Sequence, residues 1–261
     1  MRRRAFGGVI PLEILSAAKA TKEMQTLPLA LIDQDPPETA VETGQRECER
    51  ALADSLTSAV RHDNPYRHWI LQNVLPESMA AALDRLPVPA PLLRGESGSR
   101  ELHNNTRRYI DADAVAAHPV CASLAQAFQS DETVALIEGE TGARLDGCFL
   151  RLEYAQDTEG FWLRPHTDLG VKKFTMLYYL GPHGREDWGT DVYADADTWA
   201  LRAPFTPGHA LVFVPSDNTW HGFEPRRLDG VRKSLIINYV TDEWRAREQL
   251  AFPDRPVSGR R

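Results

Sequence analysis

The chain has 261 residues, 42% of them hydrophobic and 26% charged, with a formal net charge of -7. That length supports one large core or two small ones, no apolar run approaches a membrane span, and the acidic balance speaks against nucleic acid as a partner. Three widely spaced cysteines, Cys48, Cys121 and Cys148, form no zinc or redox pattern and imply a reduced, cytoplasmic setting.

The opening MRRRAFGGVIPLEILSAAKA has a basic start and small residues near Ala20, the faint outline of a targeting segment. Glu13 interrupts its short apolar stretch, so export is not expected. Met24 is an alternative start. DQDPPETAVETG (33–44) is acidic, proline-containing and loop-like, and residues 1–44 read as a flexible tail. From Glu47 to Arg61, the spacing of Leu52, Leu56 and Val60 predicts a helix face. PYRHWILQNVL (65–75) reads as a strand, and PESMAAALDRL (76–86) as a short helix opening on Pro76 and stopped by Pro87. TRRYI (106–110) is a further strand candidate. Residues 113–140, rich in Ala, Leu and Gln, predict one or two helices ending near Gly139 and Gly142.

The texture then changes. FLRLEY (149–154), KFTMLYYL (173–180), TDVYA (190–194), ALVFVP (210–215) and RKSLIINYV (232–240) are short, aromatic and β-branched, with turn signals between them. Such spacing predicts a sandwich or barrel. The expected fold class is α+β, with N-terminal helices packed on an antiparallel β core. Residues 45–261 read as one domain: 45–142 mainly helical support, 143–245 the β core, and 246–261 a C-terminal tail.

Within RPHTDLG (164–170), extended backbone would turn His166 and Asp168 to one face and Thr167 to the other. An imidazole and a carboxylate on one face are two legs of a metal site. His221, in DNTWHGFEP after the strand ALVFVP, is the best third ligand. Two histidines and one carboxylate leave coordination positions open, as non-haem Fe(II) oxygenases require, whereas a structural zinc site is closed by four protein ligands. By itself a His-x-Asp pair is a common chance match. Arg232 opens the last strand, and Ser234 shares its face. A guanidinium fork with a nearby hydroxyl suits a carboxylate.

The ordered series FLRLEY, PHTD, KKFTMLYYL, WGTDVY, PGHALVFVPSDNTWHGFEP and GVRKSLIINYV, from about Gly147 to Tyr239, resembles the Fe(II)/2-oxoglutarate-dependent dioxygenases, and among them the prolyl 4-hydroxylase-like branch. The resemblance covers somewhat more than a third of the chain. It departs at Trp188-Gly189, where the family often has two glycines. It implies a double-stranded β-helix (jelly roll) core in the C-terminal half. His166, Asp168 and His221 would hold Fe(II). Arg232 would pair with the far carboxylate of 2-oxoglutarate, with Ser234 helping, and Tyr154 and Tyr179 would line the cosubstrate pocket. Dioxygen would be the second cosubstrate and ascorbate a possible support. The implied reaction is hydroxylation of an unactivated C–H bond with release of succinate and CO2. Related halogenases lack the carboxylate that Asp168 supplies here.

Phe161, Trp162, Trp220 and Phe223 flank the ligands as either an apolar collar or ordinary core. Arg107, Arg108, Arg151 and Arg164 are candidate anchors for an anionic substrate, although Arg151 and Glu153 share a strand face and suit an internal ion pair equally well. Arg107, Arg151, Trp162 and Trp220 are the substrate-contact candidates. The substrate itself, a small molecule or a peptidyl residue, is not specified by the sequence, nor is the oligomeric state. A cupin-like metal barrel, a catalytically silent relative and an interaction module are the competing readings. They predict, respectively, no cosubstrate dependence, loss of a ligand, and distant His166 and His221.

Overall fold

The computed structural model describes residues 38–93, 98 and 106–259; of the tail expected over residues 1–44, residues 1–37 lie outside them and residues 38–44 are helical. Helix α1 spans Glu38–Thr57 and begins well before the predicted Glu47. Val41 lies one heptad before Cys48 and extends the buried stripe of Cys48, Leu52 and Leu56. Gly44, read as part of a loop, sits in mid-helix for a packing reason: a Cβ there would lie 2.7 Å from the Ser123 hydroxyl oxygen. Ser123 in turn donates to the Val41 carbonyl at 2.9 Å. Close helix approach, not a turn, explains the glycine.

Val60, predicted as helical, instead opens strand β1 (Val60–His62), which pairs with β2 (His68–Leu71). Its side chain is exposed, so it gains nothing from a helical core face. Helix α2 (Glu77–Asp84) opens after Pro76 as expected. Strand β3 is Arg107–Tyr109. The stretch predicted as one or two helices is three: α3 (Ala112–Ala117), α4 (Pro119–Gln129) and α5 (Asp131–Thr141). Pro119 opens α4, the Ser130 hydroxyl caps α5 by accepting from the Thr133 amide, and Gly142 ends α5 in the left-handed conformation.

The strands that follow are β4 (Phe149–Asp157), β5 (Leu163–His166), β6 (Lys172–Gly181), β7 (Asp191–Tyr193), β8 (Trp199–Arg202), β9 (Ala210–Phe213), β10 (His221–Phe223) and β11 (Arg232–Val240). They form two antiparallel sheets. The larger has the order β1-β2-β9-β6-β11-β4-β3 and the smaller β5-β10-β7-β8. Strands β1, β8 and β10 escaped the sequence reading because runs of three or four residues show no usable period.

The long strands alternate strictly. From β6, Phe174, Met176, Tyr178 and Leu180 join the helices in the main core, while Leu177 and Tyr179 pack with residues of the small sheet. Leu177, Leu211 and Phe213 of the large sheet meet Val192, Leu201 and Ala203 between the sheets. The molecule is therefore helices, large sheet and small sheet in three layers, and the candidate site lies between the sheets. Residues 246–259, expected as a tail, pack instead: Leu250 bridges to Arg151, and Leu250, Ala251 and Val257 are buried. All three cysteines are free and buried, and burial pushes the Cys48 and Cys121 thiols up to about 12. Among the described residues no helix is long and apolar enough to cross a membrane.

Candidate active site

Strands β5 and β10 are antiparallel neighbours with His221 directly opposite His166. Their approach is set by Gly222, where a Cβ would lie 2.8 Å from the Leu163 carbonyl oxygen and 3.1 Å from the Pro165 nitrogen. The imidazole centroids are 4.4 Å apart. Asp168 follows the end of β5, and its carboxylate lies near both rings: one ligand atom from each of His166, Asp168 and His221 falls within 4.8 Å of the others. The 55-residue gap between His166 and His221 is closed by one cross-strand pair. The interaction-module alternative, which needs distant histidines, is thereby overturned.

Each donor is oriented by its surroundings. His166 Nδ1 lies 2.9 Å from the Arg164 carbonyl, and His221 Nδ1 lies 3.0 Å from the Thr219 carbonyl. A carbonyl accepts only from N–H, so both rings carry a proton on Nδ1, and Nε2 is the nitrogen left to face a metal. The Phe213 ring packs 4.8 Å from that of His221. Asp168 accepts from Lys172 Nζ at 2.9 Å on one oxygen and from the Thr175 hydroxyl at 2.8 Å on the other. Thr175 is held in turn by Asn238 Nδ2 at 3.0 Å. Lys172 is almost fully buried, since strand β6 starts there and turns it inward. The buried Tyr66 hydroxyl is a further group missed by sequence. Burial pushes its pKa up, and the Asp168 carboxylate adds to the rise.

A second polar cluster lies across the same cavity on β11, β4 and β3. Arg232 donates from Nε to the Trp188 carbonyl at 2.7 Å and from Nη1 to Asp157 at 2.6 Å. Its Nη2 is 3.4 Å from the Thr190 hydroxyl. Asp157, fully buried, accepts from Arg107 Nη1 at 2.7 Å on its other oxygen. One carboxylate thus joins two arginines. Ser234 shares the cavity wall with Arg232, as alternation required. Tyr179 does not line the cavity. It lies behind, its hydroxyl donating to Thr190 at 3.1 Å and its ring 5.7 Å from the Arg232 guanidinium carbon.

Three expectations are corrected. Tyr154 faces the helical core, because its register partner on β11 is Leu235, whose side chain also points to the helices, and residues Arg151, Glu153 and Asp157 take the opposite face. Trp162 and Trp220 lie outside the cavity wall. Both precede their strands rather than lie in them, so strand alternation does not carry them into the cavity, and Trp162 packs against Gly98 and Arg164 instead. Phe161 and Phe223 do form an apolar collar, with centroids 5.4 Å apart. Arg151 borders the cavity but is committed to Glu153, donates to Gln249 at 2.9 Å and is clasped by the Tyr109 and Trp244 rings. The internal ion pair is what the fold adopts.

The cavity that holds both clusters measures about 610 Å³, within the usual range of small-molecule sites. A larger groove of about 1040 Å³ between α1, α2 and the β6–β11 end of the sheet contains none of the three candidate ligands. The candidate ligands therefore all lie in the smaller space.

No protein-family model matches the chain. No curated protein matches it either. Solved structures do. A prolyl hydroxylase from Trichoplax adhaerens, in complex with a hypoxia inducible factor oxygen degradation domain peptide fragment, aligns at TM-score 0.52 with 16% identity, over 81% of this chain and 96% of that one. A prolyl-4-hydroxylase from Pseudomonas putida aligns at TM-score 0.50 with 17% identity, over 74% of this chain and 98% of that one. The chain has the prolyl-hydroxylase fold. Almost the whole of each relative is spanned, so the prolyl-hydroxylase fold here includes the helical layer, which the sequence resemblance did not reach.

Proposed function

We propose that the protein is an Fe(II)- and 2-oxoglutarate-dependent dioxygenase with a jelly-roll core, hydroxylating a C–H bond of a small molecule. The observation that carries the reading is the pairing of a His-Asp-His cluster with a buried arginine across one cavity. The donor set fits the metal: two imidazoles whose Nδ1 is held by a carbonyl, and a carboxylate held on both oxygens. His166, Asp168 and His221 would hold Fe(II). The arginine fits the cosubstrate: its Nη2, Thr190 and Ser234 face the cavity and would receive the far carboxylate of 2-oxoglutarate. Bound together, iron and 2-oxoglutarate supply the oxidising chemistry, in which dioxygen and 2-oxoglutarate become succinate, CO2 and the oxygen of the new hydroxyl.

The chain's own residues supply position and exclusion of water. Asp157 and the Trp188 carbonyl fix the Arg232 guanidinium on two sides, so little side-chain freedom remains to be lost when an anion binds. Phe161 and Phe223 shield the space between arginine and metal ligands. The low dielectric behind them strengthens the Arg232–carboxylate attraction. Purified protein with Fe(II), ascorbate and oxygen is expected to form succinate from 2-oxoglutarate slowly without substrate. A protein that binds neither metal nor 2-oxoglutarate would sink the proposal.

The Asp168 contacts yield a subtler expectation. Thr175→Val keeps the side-chain shape and removes the hydroxyl that orients one Asp168 oxygen. Affinity for Mn(II), used as a redox-silent probe, is expected to fall roughly 10-fold. A titration followed by electron paramagnetic resonance measures it. Unchanged affinity would show that Lys172 alone suffices to orient the carboxylate.

A further inference from the structure

We infer that the substrate is a small anion whose carboxylate is anchored by Arg107. The inference rests on the cosubstrate reading above, and charge is its starting point. Arg107, Arg151, Arg164, Lys172 and Arg232 line the cavity against Glu153 and Asp168, with Asp157 buried directly behind. Arg164 is exposed at the rim, so among the described residues the remaining four cations exceed the three carboxylates by one. A divalent metal and doubly charged 2-oxoglutarate cancel each other, so the excess persists in the loaded site. A partly buried, uncompensated cation favours a negatively charged occupant.

Elimination then selects the arginine. Arg232 belongs to the cosubstrate cluster. Lys172 is paired with Asp168. Arg151 is paired with Glu153 and bonded to Gln249. Arg164 is exposed at the cavity rim and packs on Trp162. Arg107 differs from all of them. Its Nη1 is fixed by Asp157 at 2.7 Å, its Nε lies 3.7 Å from Glu153, and its Nη2 has no partner among the described residues. The guanidinium is 5.6 Å from the Phe161 centroid. It is therefore held at one end, with a donor left over and an apolar ring beside it. A carboxylate bonded to that donor would place the adjoining carbon chain along Phe161 and Leu163, both on the wall shared with His166 and His221.

The test uses the full chain loaded with Mn(II) and saturating 2-oxoglutarate. Isothermal titration compares N-acetyl alanine, leucine and phenylalanine with the same three compounds as carboxamides, which match them in size and lack only the charge. At least one acid is expected to bind at a single site, at least ~10-fold tighter than its amide. Arg107→Gln is expected to abolish the acid–amide difference, and Arg107→Lys to restore part of it through charge alone. Melting curves check that each variant is folded. The inference is overturned if no acid binds, if acids and amides bind alike, or if Arg107→Gln behaves as wild type. A separate titration of 2-oxoglutarate into the Mn(II) protein judges the cosubstrate reading. If that ligand alone fails, the acids are titrated into the Mn(II) protein without it, and Arg107 is still decided.

Discussion

His221→Ala is expected to lower Mn(II) affinity by more than ~100-fold and to abolish succinate formation, because losing a direct ligand costs more than losing an orienting partner, which already costs about 10–100-fold. The physical reason lies in the strand pair. His221 and His166 face each other across β5 and β10, and Asp168 completes a cluster whose donor atoms all fall within 4.8 Å. Removing one imidazole leaves a histidine and a carboxylate that is already bonded to Lys172 and Thr175. That remainder resembles an ordinary surface pair in its metal affinity. His166→Ala is expected to behave in the same way. Metal titration and succinate release should fall together in both variants. If succinate release persists while the imidazole is missing, the triad is not the seat of the chemistry. If Mn(II) binds unchanged, the metal lies elsewhere.

Asp157→Ala is expected to be the most destabilising single change at the site. Asp157 is fully buried and accepts from Arg107 and Arg232 at 2.7 and 2.6 Å. Truncation strands two cations in a low-dielectric space, for which the cost is about 3–5 kcal/mol. For a domain of this size that corresponds to a fall in Tm of roughly 10 °C. A second consequence separates this account from simple loss of packing. An anion that binds the folded protein replaces part of the missing negative charge. Saturating 2-oxoglutarate should therefore raise the Tm of Asp157→Ala more than that of wild type, by mass action on the folded state. Equal shifts in the two proteins would show that Asp157 does not share the Arg232 environment with the cosubstrate. A wild-type Tm for Asp157→Ala would show that the two arginines find other partners.

Asp157 also marks a limit of sequence reading. In RLEYAQDTEG it reads as a turn residue, yet it is the last residue of β4, three residues beyond the recognised FLRLEY run. Those three further residues of strand place its side chain between the sheets. Thr190 and Tyr66 escaped for a similar reason. Their relevance comes from neighbours on other elements, Arg232 and Tyr179 for the first and Asp168 for the second.

What the sequence determined by itself is local and periodic. Alternation over β6 and β11 is strict enough to say which residues face together, so Thr175, Leu177 and Tyr179 were separable from Phe174, Met176 and Tyr178, and Ser234 could be paired with Arg232. Pro76 and Gly142 marked helix ends through backbone geometry alone, whereas the break at Pro119 emerged only in the structure. The His-x-Asp spacing and the order of the later strands were enough to name the candidate ligands. Tertiary structure decided everything that depends on which face of a strand meets which layer. Tyr154 belongs to the helices, although nothing in FLRLEY says which alternate set faces the cavity. Trp162 and Trp220 lie outside its wall, Arg151 is consumed by Glu153, and Gly44 is a point of helix contact. The short strand β10 exists because Gly222 lets it approach β5, and only that approach sets His221 opposite His166. A residue's period can be read from its neighbours in the chain, but its phase relative to the core is fixed by partners far away in sequence.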